Sequence, residues 1–185
     1  MPLSELKRLI DRFKNQKDDT PISLVDSNAR TYAIQELLSI CSSSVHMLMW
    51  FDEFGESALF DALADDKTSK LMSRFLDFGK VSIVTNDTAT FKKLPFFEKL
   101  SEDATKRILV SPIPKKLATE YINDRVDNEF FLASPEHLIF FGKYLNKERV
   151  SEPRAFLNFY DKDFYTVLLQ FFETTNLRAS LGEFK

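Results

Sequence analysis

Residues 126–143 read VDNEFFLASPEHLIFFGK, and this stretch decides the fold. Two apolar runs, Glu129–Ser134 and His137–Lys143, stand on either side of Pro135-Glu136. Aromatic and branched residues flanking a proline that cannot continue a strand spell a β-hairpin. Both alternating faces of each run are apolar. Both strands are therefore predicted to lie inside a sheet covered on its two sides.

Upstream, Ile22–Val25 is a predicted strand, and Asp26, Ser27 and Asn28 offer cap side chains to a helix carrying Ala33, Ile34, Leu37, Leu38 and Cys41. Val45–Phe51 reads as a strand. Helical spacing follows at Leu59–Leu63, breaks at Asp65-Asp66, and returns at Leu71–Leu76, with Gly79 as the expected stop. Val81–Val84 and Lys106–Ser111 are further strands, and Lys115–Asp124 is a predicted helix leading into the hairpin. Downstream come a charged loop at Asn146–Pro153, a last strand at Phe156–Tyr160, and a final helix that Asp161 can cap, bearing Phe164, Leu168, Leu169, Phe171 and Phe172. Strand and helix alternate as in a parallel α/β unit, to which the hairpin adds antiparallel strands. The expected fold is α/β: a mixed, largely parallel central sheet with helices on both faces. Residues 1–20 form an amphipathic helix (Leu3, Leu6, Leu9, Ile10, Phe13) and a linker, 21–176 the domain, and 177–185 a polar tail.

Hydrophobic residues make up 44% of the 185-residue chain, ample for one core. That core is bulky, because there are 19 phenylalanines against four glycines. So few glycines leave no room for a phosphate-cradling loop. A net charge of −3 lacks the basic excess usual in duplex-binding domains. The lone Cys41 excludes an internal disulfide, sits on an apolar helical stripe, and suits a reducing, cytoplasmic setting. No stretch approaches the ~18–20 apolar residues of a membrane span. One cysteine and two widely separated histidines, His46 and His137, exclude a Cys/His metal site, so no metal or cofactor is expected. The acidic pairs Asp52-Glu53, Asp65-Asp66 and Glu102-Asp103 read as solvated loops. Lys92, Lys93, Lys106, Arg107, Lys115 and Lys116 fall around one strand and could form a basic rim beside Phe91, Phe96 and Phe97.

The segments ISLVDSNARTYAIQELLSICSSSVHMLMWF, SALFDALAD and KVSIVTND together resemble the opening half of a phospholipase D-like domain. FFLASPEHLIFFGK resembles the paired strands that carry that superfamily's catalytic signature, and NFYDKDFYTVLLQFFETTN the strand end and closing helix beyond them. Small bacterial single-half domains of this kind pair an Asn-Phe-x-Asp segment, here Asn158, Phe159 and Asp161, with such a helix. Active members carry His-x-Lys, four further residues, then Asp. The histidine attacks phosphorus, the lysine grips phosphate oxygens and the carboxylate orients the site.

Aligning FFLAS with the signature's strand puts Asp127 for histidine, Glu129 for lysine and Ser134 for aspartate; sliding by one gives Asn128, Phe130 and Pro135. Neither register supplies a nucleophile. Asp127, Glu129, Ser134 and Asn158 would then mark a vestigial cleft without catalysis. The resemblance also implies that a single half pairs with itself or with a homologue. The expected role is a protein-interaction or regulatory module, with a nucleic-acid-binding accessory protein and a phosphodiesterase with relocated residues as alternatives.

Overall fold

The structure, a computed structural model, describes residues 2–51, 54–114, 129–145 and 148–181. Its strands are β1 (Ile22–Leu24), β2 (Ser44–Met49), β3 (Lys80–Thr85), β4 (Ile108–Pro112), β5 (Glu129–Ala133), β6 (His137–Leu145) and β7 (Glu148–Phe159). They form one seven-stranded sheet in the order β1-β7-β6-β5-β2-β3-β4. The β5–β6 hairpin occupies its middle, as the doubly apolar runs require.

The sheet is mixed, but it is parallel only in part. β2, β3 and β4 run parallel, whereas β5 pairs antiparallel with β2 and β6, β7 with β6, and β1 with β7. The difference arises at β1. A strand–helix–strand order predicts that β1 lies beside β2; instead it crosses to the far edge, where Ile22 stands opposite Leu157.

Helices cover both faces. Val45, Met47, Met49, Phe131, Ala133 and Ile139 point to one side, where they meet α1 (Leu3–Gln16), α2 (Ser27–Ile40), α3 (Ala58–Ala64) and α4 (Asp66–Phe75). The short α5 (Thr88–Phe91), a 3-10 turn at Pro95–Lys99 and α6 (Glu102–Thr105) complete the links to β4. Leu48, Val84, Phe130, Leu132 and Leu138 point the other way, under α7 (Lys162–Ser180) and its Tyr165, Leu168 and Phe172. α1 belongs to the body: Leu6, Ile10 and Phe13 are buried, and Lys14 pairs with Glu36 at 2.9 Å. No helix among the described residues is long and apolar enough to cross a membrane.

Local chemistry sets the boundaries. Asp26 caps α2 by accepting from Ala29 N, Asp65 caps α4 by accepting from Lys67 N and Thr68 N, and Asp161 caps α7 by accepting from Phe164 N. α4 ends at Phe75 with Leu76 as its cap, and Gly79 N closes the turn that follows by donating to Phe75 O at 2.8 Å; a Cβ at Gly79 would overlap the Phe75 ring. The charged segment 148–153 is strand rather than loop, since β7 continues the ladder with β6 through it. The final helix likewise runs past Asn176 to Ser180, and Ser111 Oγ donates to Asn176 Oδ1. The expected helix at Lys115–Asp124 lies outside the described residues.

Candidate functional site

In an α/β sheet the edge formed by the carboxyl ends of the parallel strands is where sites are usually built. Here Trp50 and Phe51 leave β2 at that edge, Asn86 leaves β3, and Glu129 opens β5 beside them. Asn86 clamps the chain after β2: its Oδ1 accepts from Phe51 N at 2.9 Å and its Nδ2 donates to Phe51 O at 2.6 Å. Glu129 is fully buried. Its Oε1 accepts from Trp50 N at 3.1 Å and from the Ser57 hydroxyl, and its Oε2 from Ala58 N at 3.0 Å and Leu59 N at 3.3 Å. Ser57, Ala58 and Leu59 are the opening of α3, so the carboxylate closes off the amides that this helix start leaves unpaired. Chemically it is an internal cap.

Ser134 stands at the other end of β5, where Ser43 Oγ donates to its Oγ at 3.1 Å and its backbone bonds the chain around Ser42 and Ser44. Asn158 lies level with Leu138 on β7, near that same far end and on the α7 side of the sheet. The structure therefore does not bring Glu129 together with Ser134 or Asn158. Asp127 lies outside the described residues, as do Asp52 and Glu53.

The two histidines are on opposite faces. His46 pairs across the sheet with Leu132 and meets the Phe172 ring of α7 at 5.1 Å. His137 is buried on the α1–α4 side against Phe159 and Tyr160, with centroids at 5.5 and 4.8 Å. Burial lowers both pKa values, that of His137 to about 4 with a further contribution from Lys14; for His46, Glu173 works against the shift. Neither Nδ1 has a hydrogen-bond partner among the described residues. Burial also raises the pKa of the Cys41 thiol, as expected for an inert core cysteine.

The basic residues divide. Lys92 and Lys93 follow α5, beyond the carboxyl end of β3, while Lys106 and Arg107 precede β4 at the opposite end of those strands. Lys106 is held by Asp103 and Glu102 at 3.1 and 3.4 Å, and Arg107 donates to Phe78 O. Phe91 and Phe96 are buried and pack with Phe97, so their rings are core rather than a stacking platform. Lys115 and Lys116 lie outside the described residues.

Sequence reasoning missed a pocket of about 510 Å³ beside the β1 edge, lined by Asp19, Ser23, Phe156, Asn158, Asp161 and Phe164 among others. Asn158 is only 3% exposed. Its Nδ2 donates to Asp161 Oδ2 at 2.9 Å, which fixes the amide orientation, and its Oδ1 has no donor among the described residues. An acceptor left so costs about 1–3 kcal/mol. No local motif could have revealed this pocket, because its residues come from two stretches far apart in the chain, 19–23 and 155–164. No cluster of three or more His, Cys, Asp or Glu that could hold a metal occurs among the described residues.

Fold and site together define a mixed α/β domain whose edge carboxylate is built into the scaffold. No family model matches the chain, and no curated protein sequence matches it. Among solved structures it is similar to TrmBL2, an archaeal chromatin protein described as showing a novel mode of DNA binding, with a TM-score of 0.51 and 12% identity. The match covers 92% of this chain and 58% of that one, so the chain spans little more than half the length of TrmBL2. NucT from Helicobacter pylori matches with a TM-score of 0.49 and 10% identity, over 88% of this chain and 96% of that one. At 12% identity the likeness to TrmBL2 establishes a shared fold alone, and the likeness to NucT is weaker still.

Proposed function

We propose that this chain is a catalytically silent phospholipase D-like domain that works by binding, as a protein-interaction or regulatory module that pairs with itself. The observation that carries this reading is Glu129. By the family resemblance it stands where a lysine would grip phosphate, yet it is a carboxylate that accepts from Trp50 N, the Ser57 hydroxyl, Ala58 N and Leu59 N of the scaffold. A negative group there repels a phosphodiester, and its donors are already taken. The opposite faces and aromatic contacts of His46 and His137 support the same reading, since neither imidazole lies at this edge. Val167, Phe171 and Leu177 on α7 and Leu181 just beyond its end are exposed, an apolar surface of the kind that marks protein contacts.

The test combines two measurements. With bis-p-nitrophenyl phosphate and a labelled oligonucleotide, turnover should not exceed the buffer blank. Turnover that vanishes in His46→Ala or His137→Ala would establish the relocated-residue enzyme instead. Light scattering at micromolar concentration should give a dimer mass; a monomer throughout would remove the self-pairing part of the proposal.

A second reading, a nucleic-acid-binding accessory protein, draws on the shared fold with a protein described as binding DNA. It predicts binding that falls steeply between low and moderate salt and disappears on Lys115→Glu with Lys116→Glu. Salt-independent capture of a protein partner favours the first reading.

A further inference from the structure

α4 presents a row of cations to solvent. Thr68, Ser69, Met72 and Phe75 are buried against the body, which leaves Lys67, Lys70 and Arg74 exposed on the opposite side, three and four residues apart. None of the three makes an ion pair among the described residues, although the chain has 28 acidic residues and Lys14 and Lys106 both find partners. Asp66 and Asp77 stand near the two ends of the row, and neither is paired with it. Like charges one turn apart repel, so stability does not explain the row. What it lacks is a negative partner.

The row continues past the helix. Phe78 lies one turn beyond Arg74, with its N donating to Phe75 O at 3.2 Å. It is 59% exposed, and its ring is braced edge-on by Phe75 at 5.3 Å. Arg107 reaches the same turn and donates to Phe78 O at 3.1 Å, which adds a further cation beside the outward ring.

Lys67 and Arg74 are two helical turns apart, about 10 Å, a length that spans roughly three phosphates along one strand. Cations in a line suit a polymer of evenly spaced anions. An exposed ring at the end of such a line suits an unpaired base, since single strands are held by charge along the backbone and by stacking on aromatic side chains. A membrane surface fits less well, because the apolar face of α4 is already buried in the core.

We infer that Lys67, Lys70, Arg74 and Arg107 track the backbone of a single-stranded nucleic acid and that Phe78 stacks on one of its bases. Such a contact rests on the domain binding nucleic acid at all, the second reading above, and places it on α4 instead of at Lys115 and Lys116.

The test is fluorescence anisotropy of a labelled oligothymidylate, about twelve nucleotides long, titrated with the full chain. Saturable binding is expected, about 20–50-fold weaker at ~200 mM salt than at ~50 mM, as three or four phosphate contacts require. Lys70→Glu with Arg74→Glu should weaken it at least about tenfold with an unchanged thermal midpoint, and Phe78→Ala about fivefold or more. Loss of binding in Lys115→Glu with Lys116→Glu but not in the α4 pair would overturn the placement and leave the nucleic-acid reading standing. No saturable binding of the oligonucleotide would overturn both. Equal binding of polyglutamate would assign the row to an acidic protein instead, and a duplex bound as tightly as the single strand, with Phe78→Ala silent, would overturn the single-strand assignment.

Discussion

The Glu129 carboxylate accepts the hydroxyl of Ser57, a residue 72 positions earlier in the chain, and thereby joins the first residue of β5 to the start of α3. Breaking this link should be expensive. Glu129→Ala leaves the amides of Trp50, Ala58 and Leu59 without their buried acceptor. The expected loss is at least about 3 kcal/mol, read from the urea midpoint, with Glu129→Gln losing less because one oxygen remains. A change below about 1 kcal/mol would show that the carboxylate is not structural.

His137 makes stability depend on pH. Its folded pKa is about 4 because the ring is buried, against about 6.5 in the unfolded chain. Between those values the unfolded state binds the extra proton. Its contribution to stability is therefore present above pH ~6.5 and is lost as pH falls toward 4. The full effect is on the order of 3 kcal/mol. His137→Leu should flatten the urea midpoint across this window relative to the parent, although His46, shifted the same way, keeps some slope.

Two glycines should respond differently to alanine. At Gly79 a Cβ meets the buried Phe75 ring, so Gly79→Ala should cost about 1–3 kcal/mol by overpacking. At Gly55 nothing lies within 4 Å, but φ is +79°, so Gly55→Ala should cost only about 1–2 kcal/mol of backbone strain. Thermal melts of both variants would separate crowding from conformation.

α1 should be held by its apolar stripe rather than by charge. Ile10 is completely buried, and Ile10→Ala should cost about 2–5 kcal/mol. The Lys14–Glu36 pair is partly open to solvent, so Lys14→Ala should change stability by less than about 1 kcal/mol. Equal losses in chemical denaturation would contradict this ranking.

Much of this architecture was legible in the sequence because its signals are local. The hairpin follows from apolar runs around Pro135, and Asp26, Asp65 and Asp161 announce helix starts through donors only two or three residues away. The rest depends on partners that no local window contains. Glu129 heads an apolar run and looks like a strand boundary, yet its donors come from Trp50 and from Ser57 to Leu59. Residues 148–153 look like a loop because they are charged, although ladder pairing with β6 carries the strand through them. Asp19 and Asn158 share a pocket only because β1 pairs with β7, and nothing near either residue hints at the other.

That pairing also sets an order of events. Ile22 and Leu24 emerge from the ribosome well before Leu157 and Ala155, the residues they face in the sheet. β1 cannot pair until the last strand of the sheet has been made, and that pairing closes a loop spanning most of the chain. Throughout that interval the nascent protein carries an unsatisfied strand ahead of the rest of its sheet, the segment on which a chaperone, or a neighbouring nascent copy, would find its first foothold.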